Sequence, residues 1–225
     1  VTGSHSEAID VYLNDFIGDP AALHSFVDKA YADLQERLAW SRKDKVAPEG
    51  GIWDCILSPD FTGMLAHEAV GHTCEADAVL RKNSVAAKFM GKQVASELVS
   101  LTDFAYEAFG VHCPIPLHID DEGTACKDAP IIAGGILVGC MTNRDAAARL
   151  GVEPTGNARA SEYYDEPIIR MRNTCFLPGT STLDQMIAAI DKGYYLTKSG
   201  GGNGSEKGEF NMIVSEGYEI SKGKL

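Results

Sequence analysis

Two histidines, His67 and His72, stand five residues apart, and Glu68 directly follows the first of them. On a regular α-helix five residues turn through about 500°, which leaves a net offset of about 140° between the two side chains. A straight helix would therefore point the two imidazoles to different sides. They can meet only if the helix widens by one residue into a π-turn, or if it ends at Gly71 with a positive φ so that His72 swings back.

If the two imidazoles meet, they supply part of a zinc site, because the imidazole nitrogen is a common zinc ligand. Glu68 would then be the general base that activates a metal-bound water and passes the proton to the leaving amine. The spacing leaves an alternative open, in which the helix carries two partly buried, hydrogen-bonded histidines and a solvated glutamate.

A catalytic zinc usually has three protein ligands and one open position. Cys74 could be a thiolate ligand, although a ligand only two residues after His72 would force a tight loop. Glu75 or Asp77 could instead be a carboxylate that orients a histidine through its second ring nitrogen. None of the three is a compelling third ligand.

The chain is strongly acidic, with 20 Lys and Arg against 32 Asp and Glu and a net charge of −12. Because no basic stripe compensates, we expect no nucleic-acid partner. The apolar runs fall far short of the roughly 20 residues that cross a bilayer, and the first residues do not resemble a signal peptide, so we expect no membrane association. The six cysteines form no CxxC pair, which favours a reducing cytoplasm in which most of them are buried.

The hydrophobic pattern predicts an α+β fold with a largely antiparallel sheet and packed helices, one of which carries the His-Glu-x-x-x-His motif. The longest helix is predicted to begin at Pro20 and to end before Pro48. Its apolar stripe comprises Leu23, Phe26, Val27, Ala30, Tyr31, Leu34 and Leu38.

Two shorter helices have recognisable ends. One is predicted to begin near Phe61 after a cap at Asp60 or Thr62, and the other has a capping box over Thr182–Gln185 and ends before Gly193. The predicted strands are Ile52–Leu57, the second half of Val94–Leu101, Ile131–Met141 as a hairpin turning at Ala133-Gly134-Gly135, Ile168–Leu177, Glu209–Ser215 and Tyr218–Lys222.

Other motifs indicate chemistry less specifically. Gly200–Gly204 lacks the Gly-Lys-Ser/Thr of a phosphate loop, so we predict a flexible bend. Asp120–Gly123 could bind calcium or supply a catalytic pair, and a solvated turn is the simpler prediction. The absence of Gly-x-Ser-x-Gly disfavours a serine hydrolase. A cysteine hydrolase that pairs Cys113 with His112 or His118 stays open.

The motif His67–His72, followed by Glu75-Ala76-Asp77, resembles the signature of the TldD/PmbA family of metallopeptidases. The resemblance spans roughly residues 50 to 225. Further blocks follow in the family's order: Ala95–Leu101, Asp120–Thr124, Glu153–Arg159, Arg170–Thr174, Leu177–Gly179 and Asp191–Gly193.

This resemblance implies a cytoplasmic, zinc-dependent peptidase of the TldD type that hydrolyses unfolded or short peptides bound as extended strands. It implies that His67 and His72 hold the zinc and that Glu68 activates the water. The third zinc ligand would be a cysteine of a carboxy-terminal glycine-rich segment, which we expect beyond Leu225. Residues 1–48 would be the end of an amino-terminal α/β domain, and residues 49–225 the metallopeptidase core without its carboxy-terminal part.

The resemblance also bears on partners. Family members form dimers, so we expect a homodimer or a heterodimer with a paralogous subunit. The expected substrate-binding residues are Thr155, Gly156, Asn157, Arg170 and Asn173, although strand-pairing and turn roles would explain the same residues. The alternative function is a non-catalytic peptide-binding or dimerisation subunit with the same fold and an incomplete metal site.

Overall fold

The computed structural model of the chain describes residues 20–41 and 46–225. The chain divides into two compact units, residues 1–51 and Ile52–Leu225. In the described part of the first unit, helix α1 covers Pro20–Ser41, as predicted. Of the predicted apolar stripe, Leu23, Val27 and Tyr31 are exposed, and the other four residues are half-buried. Residues 1–19 lie outside the described residues, and the assignment of residues 1–48 to an α/β domain stays a prediction.

The second unit combines short helices with short strands. Its helices are α2 Pro59–Leu65, a π-helical turn Ala66–Gly71, a 3₁₀ turn His72–Cys74, α3 Ala76–Leu80, α4 Ala86–Phe89, α5 Arg144–Leu150 and α6 Leu183–Ala188. Its strands are β1 Asp54–Leu57, β2 Leu101–Phe104, β3 Glu107–Ala108, β4 Val111–His112, β5 Ala129–Ala133, β6 Ile136–Leu137, β7 Ala158–Arg159, β8 Ile168–Ile169, β9 Asn173–Phe176, β10 Lys192–Gly204 and β11 Phe210–Ser221.

These strands form two main sheets. One has three strands in the order β1-β10-β11, in which β1 is parallel to β10 and β11 is antiparallel. The other is antiparallel throughout, in the order β6-β5-β2-β9. Two ribbons, β3-β4 and β7-β8, complete the unit. The predicted α+β fold with largely antiparallel sheets is confirmed. Among the described helices, none has the length and apolar character needed to cross a bilayer.

The main hydrophobic core lies on the four-stranded sheet and holds the segment that carries the histidine motif. Leu101, Ile131 and Met141 are fully buried in this core. Ala66 and Cys74, which flank the motif on either side, belong to the same core. Both ends of the motif are therefore anchored by apolar packing, which limits the positions open to the side chains between them.

Two local predictions are confirmed. The hairpin between β5 and β6 turns at Gly134 and Gly135, with φ of 53° and 79°, the left-handed values that a two-residue turn requires. Helix α6 begins with the predicted capping box, in which Thr182 accepts the backbone N–H of Gln185 and the Gln185 side chain accepts the N–H of Thr182.

The predicted glycine-rich bend at Gly200–Gly204 is wrong. Strand β10 runs through these glycines to Gly204, and β11 is one strand instead of two. Gly193 lies in β10 instead of ending a helix, and a Cβ there would lie 2.2 Å from the Asp54 carbonyl oxygen. These glycines therefore let backbone from other segments approach closely. The segments lie far apart in the sequence, so the glycine-rich composition alone does not show this requirement.

Three further boundaries differ from the prediction. The cap of α2 is Ser58, whose hydroxyl accepts the Phe61 N–H at 3.4 Å, while Pro59 takes a first-turn position that needs no N–H donor. The stretch 168–177 forms two short strands, β8 and β9, and within 94–101 only Leu101 is a strand residue.

A buried ion pair connects the four-stranded sheet to the segments around residues 155 and 172. Asp103 is fully buried, and its Oδ2 accepts from the Arg172 Nε at 2.9 Å and from the Asn157 amide at 2.8 Å. Its Oδ1 accepts from the Arg172 backbone N–H and the Thr174 hydroxyl, each at 2.8 Å. Arg172 donates further bonds to the carbonyls of Thr155, Gly156 and Lys127.

Replacing Asp103 with Ala should lower the free energy of unfolding by about 3–5 kcal/mol, because the Arg172 charge would stay buried without its partner. Urea unfolding followed by circular dichroism measures the loss. The control is Glu153→Ala, which removes an exposed pair with Lys127 and should cost at most about 1 kcal/mol. Equal losses in the two variants would contradict the role given to Asp103.

Candidate metal centre

The helix that carries the motif changes type where the spacing demands it. Helix α2 ends at Leu65 and continues as the π-helical turn. The backbone N–H of His72 bonds to the carbonyl of His67, five residues back, so the extra residue is absorbed between the two histidines. Of the two alternatives that would let the rings meet, the structure has the widened helix. Gly71 has a right-handed φ of −55°, so the alternative of a positive φ there is wrong.

The turn brings three side chains together. The rings of His67 and His72 lie edge to face, with centroids 4.7 Å apart. The His72 Nε2 is 3.9 Å from the Glu68 Oε2. One ligand atom from each of His67, Glu68 and His72 falls within 4.8 Å of the others, a spacing that could hold a metal ion. Two imidazole nitrogens with a carboxylate are donors that suit zinc.

The electrostatics of His67 suit metal binding. Burial lowers the pKa of His67, the neighbouring His72 lowers it further, and Glu68 acts in the opposite direction. The neutral imidazole, whose free nitrogen lone pair binds metals, is therefore favoured.

Glu75 lies on the other side of His72. Its Oε1 is buried without a hydrogen-bond partner and lies 3.6 Å from the His72 Nδ1, while its Oε2 accepts from the Arg170 Nη1 at 3.2 Å. Burial raises the pKa of Glu75 to about 7, and Arg170 opposes this rise. A carboxylate beside Nδ1 leaves Nε2 facing Glu68, which is how outer carboxylates orient ligand histidines. Of the two carboxylates considered for this position, Asp77 instead pairs with Arg81 at 2.8 Å.

Cys74 does not reach the centre. Its side chain is 1% exposed and belongs to the main core, and burial raises the pKa of its thiol to about 12. A thiol held in this protonated form is a poor metal ligand. Burial also raises the pKa of Cys113, which disfavours the cysteine hydrolase. All six cysteines are unpaired. The expectation that most are buried is wrong, because two are buried, Cys126, Cys140 and Cys175 are half-buried, and Cys55 is exposed.

Three glycines let other segments close around the motif. A Cβ on Gly204 would lie 2.2 Å from the carbonyl oxygen of Glu68, and one on Gly202 would lie 3.1 Å from its Cγ. A Cβ on Gly71 would lie 1.9 Å from the Met171 Sδ. The end of β10 therefore packs directly on the backbone of Glu68, and Met171 fills the space that Gly71 leaves.

The predicted substrate-binding residues have partners within the protein. Asn157 is 2% exposed and donates to Asp103 and to the Arg170 carbonyl. Thr155 bonds to Thr142 and Asn157, and Asn173 exchanges bonds with the backbone of Ile115.

Arg170 holds Glu75, as described above, and Gly156 takes a left-handed φ of 74°. The structure therefore collects Thr155, Gly156 and Asn157 in one network with Asp103, and it places Arg170 behind His72. The assignment of these residues and Asn173 to substrate stays a prediction. Arg170 as the partner of Glu75 was missed, since nothing in the sequence joins positions 95 residues apart.

The acidic turn at residues 120–123 is built around Asp120. Its carboxylate accepts the backbone N–H groups of Glu122, Thr124 and Ala158, and the side chain is buried. The carboxylate thus holds the turn against β7. The prediction of a solvated turn is wrong for Asp120, because its side chain is buried.

Residues 50–225 match the model of the PmbA/TldA metallopeptidase C-terminal domain. The chain belongs to the TldD/PmbA family. It is 36% identical over 199 residues to a zinc metalloprotease TldD homolog of Saccharolobus solfataricus, an alignment that covers 88% of this chain and 44% of that protein. It is 39% identical over 186 residues to a metalloprotease of Methanocaldococcus jannaschii, covering 81% and 40%.

A solved structure shares the TldD/PmbA fold of this chain. The crystal structure of TldE from Thermococcus kodakarensis superposes with a TM-score of 0.62 at 20% identity, over 76% of this chain and 41% of that one. The chain thus spans less than half the length of these relatives. The curated relatives are named metalloproteases, which supports membership of a metallopeptidase family.

Replacing His72 with Ala should weaken zinc binding by more than the roughly 10- to 100-fold that losing an outer partner costs. Cys74→Ala should leave the zinc affinity unchanged, because the thiol faces the core. Competition titration with a chromogenic chelator measures both. A larger loss in Cys74→Ala than in His72→Ala would contradict this assignment.

Replacing Gly204 with Ala should lower the free energy of unfolding by about 1–3 kcal/mol, because the new methyl group overlaps the Glu68 backbone. It should also weaken zinc binding, since β10 or the π-turn must shift. The control is Gly179→Ala, where a Cβ meets nothing within 4 Å. Urea unfolding and zinc titration on both variants test the contact, and equal behaviour would refute it.

Proposed function

We propose that this chain is the core of a zinc-dependent peptidase that hydrolyses unfolded or short peptides. The observation that carries the proposal is the convergence of His67, Glu68 and His72 on one point at a π-helical turn. The metalloprotease names of the curated relatives support it.

The donor set and its surroundings fit zinc. His67 and His72 would hold the ion, and Glu75, whose buried Oε1 lacks a hydrogen-bond partner, would hold the Nδ1 proton of His72. The family resemblance implies a cysteine as the third protein ligand. When bound, zinc supplies Lewis-acid polarisation of the scissile carbonyl.

Glu68 has the position and chemistry of a general base. Its carboxylate lies beside both imidazoles and can take a proton from the attacking water. The same carboxyl group can then deliver that proton to the leaving amine, which balances the hydrolysis without another acid. The backbone of Glu68 is held by Gly204, so the carboxylate starts from a fixed position.

Extended peptides have a place to bind beside this group. Strand β9 is the outermost strand of the four-stranded sheet, and its residues 173–175 line the same cavity as His67. A peptide can add to such an edge through main-chain hydrogen bonds. A dimer with itself or with a paralogue, in the cytoplasm, completes the proposal, and the six unpaired cysteines agree with a reducing compartment.

A non-catalytic, peptide-binding or dimerisation subunit is the alternative. Within residues 20–41 and 46–225, the candidate metal group comprises two histidines and one glutamate. With Glu68 as the general base, this group supplies two protein ligands, one fewer than a catalytic zinc usually has, which favours the alternative. Metal content separates the two functions, because about one zinc per chain after purification without chelator favours the peptidase. Peptide binding without zinc would favour the subunit.

Replacing Glu68 with Gln should slow peptide hydrolysis by about 10²- to 10⁴-fold while zinc content stays unchanged, because the amide cannot accept the proton. Cleavage of a fluorogenic unfolded peptide by the complete natural chain measures the rate. The matched control is Glu162→Gln, an exposed glutamate outside the centre. Equal turnover in wild type and Glu68→Gln would end the mechanistic proposal.

A further inference from the structure

A cavity of about 440 Å³ opens beside the metal centre, with His67 in its wall. Ribbon β3-β4 borders it on one side, helix α2 borders it through Gly63, and residues 173–175 of β9 complete it. Its volume lies within the roughly 300–1,000 Å³ of small-molecule sites. It can therefore take a side chain of a peptide whose backbone lies at the centre.

The lining is predominantly apolar. Phe104, Phe109, Val111, Ile115 and Met171 contribute carbon surface. Three basic side chains also line the cavity. Arg172 is 3% exposed and its charge is engaged by Asp103. His67 belongs to the candidate metal centre, and the His112 ring packs edge to face on Tyr106. The surface thus suits an uncharged, apolar group, since a charged one would lose its hydration without a matching partner.

The turn between β3 and β4 carries a residue that its backbone does not favour. Phe109 and Gly110 have φ of 55° and 80°, the left-handed pair of a two-residue hairpin. Asn is the usual residue at the first of these positions, and a bulky side chain there is strained. The Phe109 ring packs edge to face on Phe104, with centroids 5.4 Å apart, and lines the cavity while staying 61% exposed. Strain of this kind is typical of ligand-binding sites.

Gly63, which lines the same cavity, is a second residue that its local structure does not favour. A glycine inside a helix weakens it, and a Cβ at this position would meet nothing within 4 Å. Packing therefore does not require glycine here. Because Gly63 has no side chain, there is open space at this part of the cavity wall. The wall here is formed by α2, the helix that leads into the motif.

We propose that this cavity binds a large apolar side chain, aromatic or aliphatic, of the peptide residue next to the scissile bond, and so determines where substrates are cut. The proposal rests on the proposed function for the position of the scissile bond. The binding preference itself depends only on the cavity and can be measured without hydrolysis.

The test uses fluorescently labelled pentapeptides that differ in the central residue, Phe, Leu, Ala or Glu, between alanines. Fluorescence anisotropy measures their binding to the zinc-loaded Glu68→Gln protein as the complete natural chain. Burial of the side chain should make the Phe and Leu peptides bind about 10- to 100-fold more tightly than the Ala peptide. The Glu peptide should bind no more tightly than Ala. Equal affinities, or no binding of any peptide, would overturn the proposal.

Two variants locate the binding. Phe109→Asn places a preferred residue in the turn, so it should fold normally while the Phe peptide loses at least about tenfold in affinity. Gly63→Leu fills the open space and should produce a similar loss. The matched control Tyr163→Asn removes an aromatic side chain that is 96% exposed and does not line the cavity. Wild-type affinity in both cavity variants would overturn the proposal.

The two proposals fail in different ways. If wild type hydrolyses no peptide but the Phe preference exists and Phe109→Asn removes it, the peptidase proposal fails and the cavity assignment stands. If hydrolysis depends on Glu68 but the Phe and Ala peptides bind and are cut alike, the cavity assignment fails alone.

Discussion

The hydrogen bond from the His72 N–H to the His67 carbonyl is the interaction on which the candidate site depends. In an α-helix the same N–H would reach back four residues, and the two imidazoles would point apart by about 140°. Bonding five residues back places them at 4.7 Å between ring centroids. π-Helical turns of this kind are rare and are frequently found at functional sites.

The surroundings of this turn explain why the unusual bond is kept. Glycines at 202 and 204 let β10 press on Glu68, and Met171 packs on Gly71. Apolar residues on either side of the motif belong to the main core, so neither end can unwind without exposing that surface. The turn is thus a consequence of tertiary packing as much as of the motif's own residues.

Sequence reasoning predicted the features that depend on residues close together in the sequence. The phase of His67 and His72 narrowed the possibilities to a widened helix or a helix end at Gly71, and the structure has the first. The pair Gly134-Gly135 predicted a hairpin, and Thr182 predicted a capping box. Each of these patterns has a local physical cause. The reason for the glycine at 71 was misread, since the requirement comes from Met171, 100 residues away.

Contacts with distant residues also determine the conformations of the acidic turn at 120–123 and of the glycine-rich segment at 200–204. Asp120 resembles a solvated turn residue until the N–H of Ala158 is placed against it. The glycines at 200–204 resemble a bend until the Glu68 backbone is seen to lie against Gly204. In both cases the second residue of the contact lies far away in the sequence, so no rule based on local spacing identifies it.

The contact between Glu75 and Arg170 links the segment that follows the histidine motif to the connection between β8 and β9, far along the chain. The Arg170 backbone N–H bonds to the Asn157 carbonyl, and the Asn157 amide bonds to Asp103. An ion that binds only the native arrangement stabilises every element that maintains it. If zinc occupies the centre as proposed, its binding and the unfolding of this domain are therefore thermodynamically coupled, so that each of these contacts contributes to the affinity for the ion.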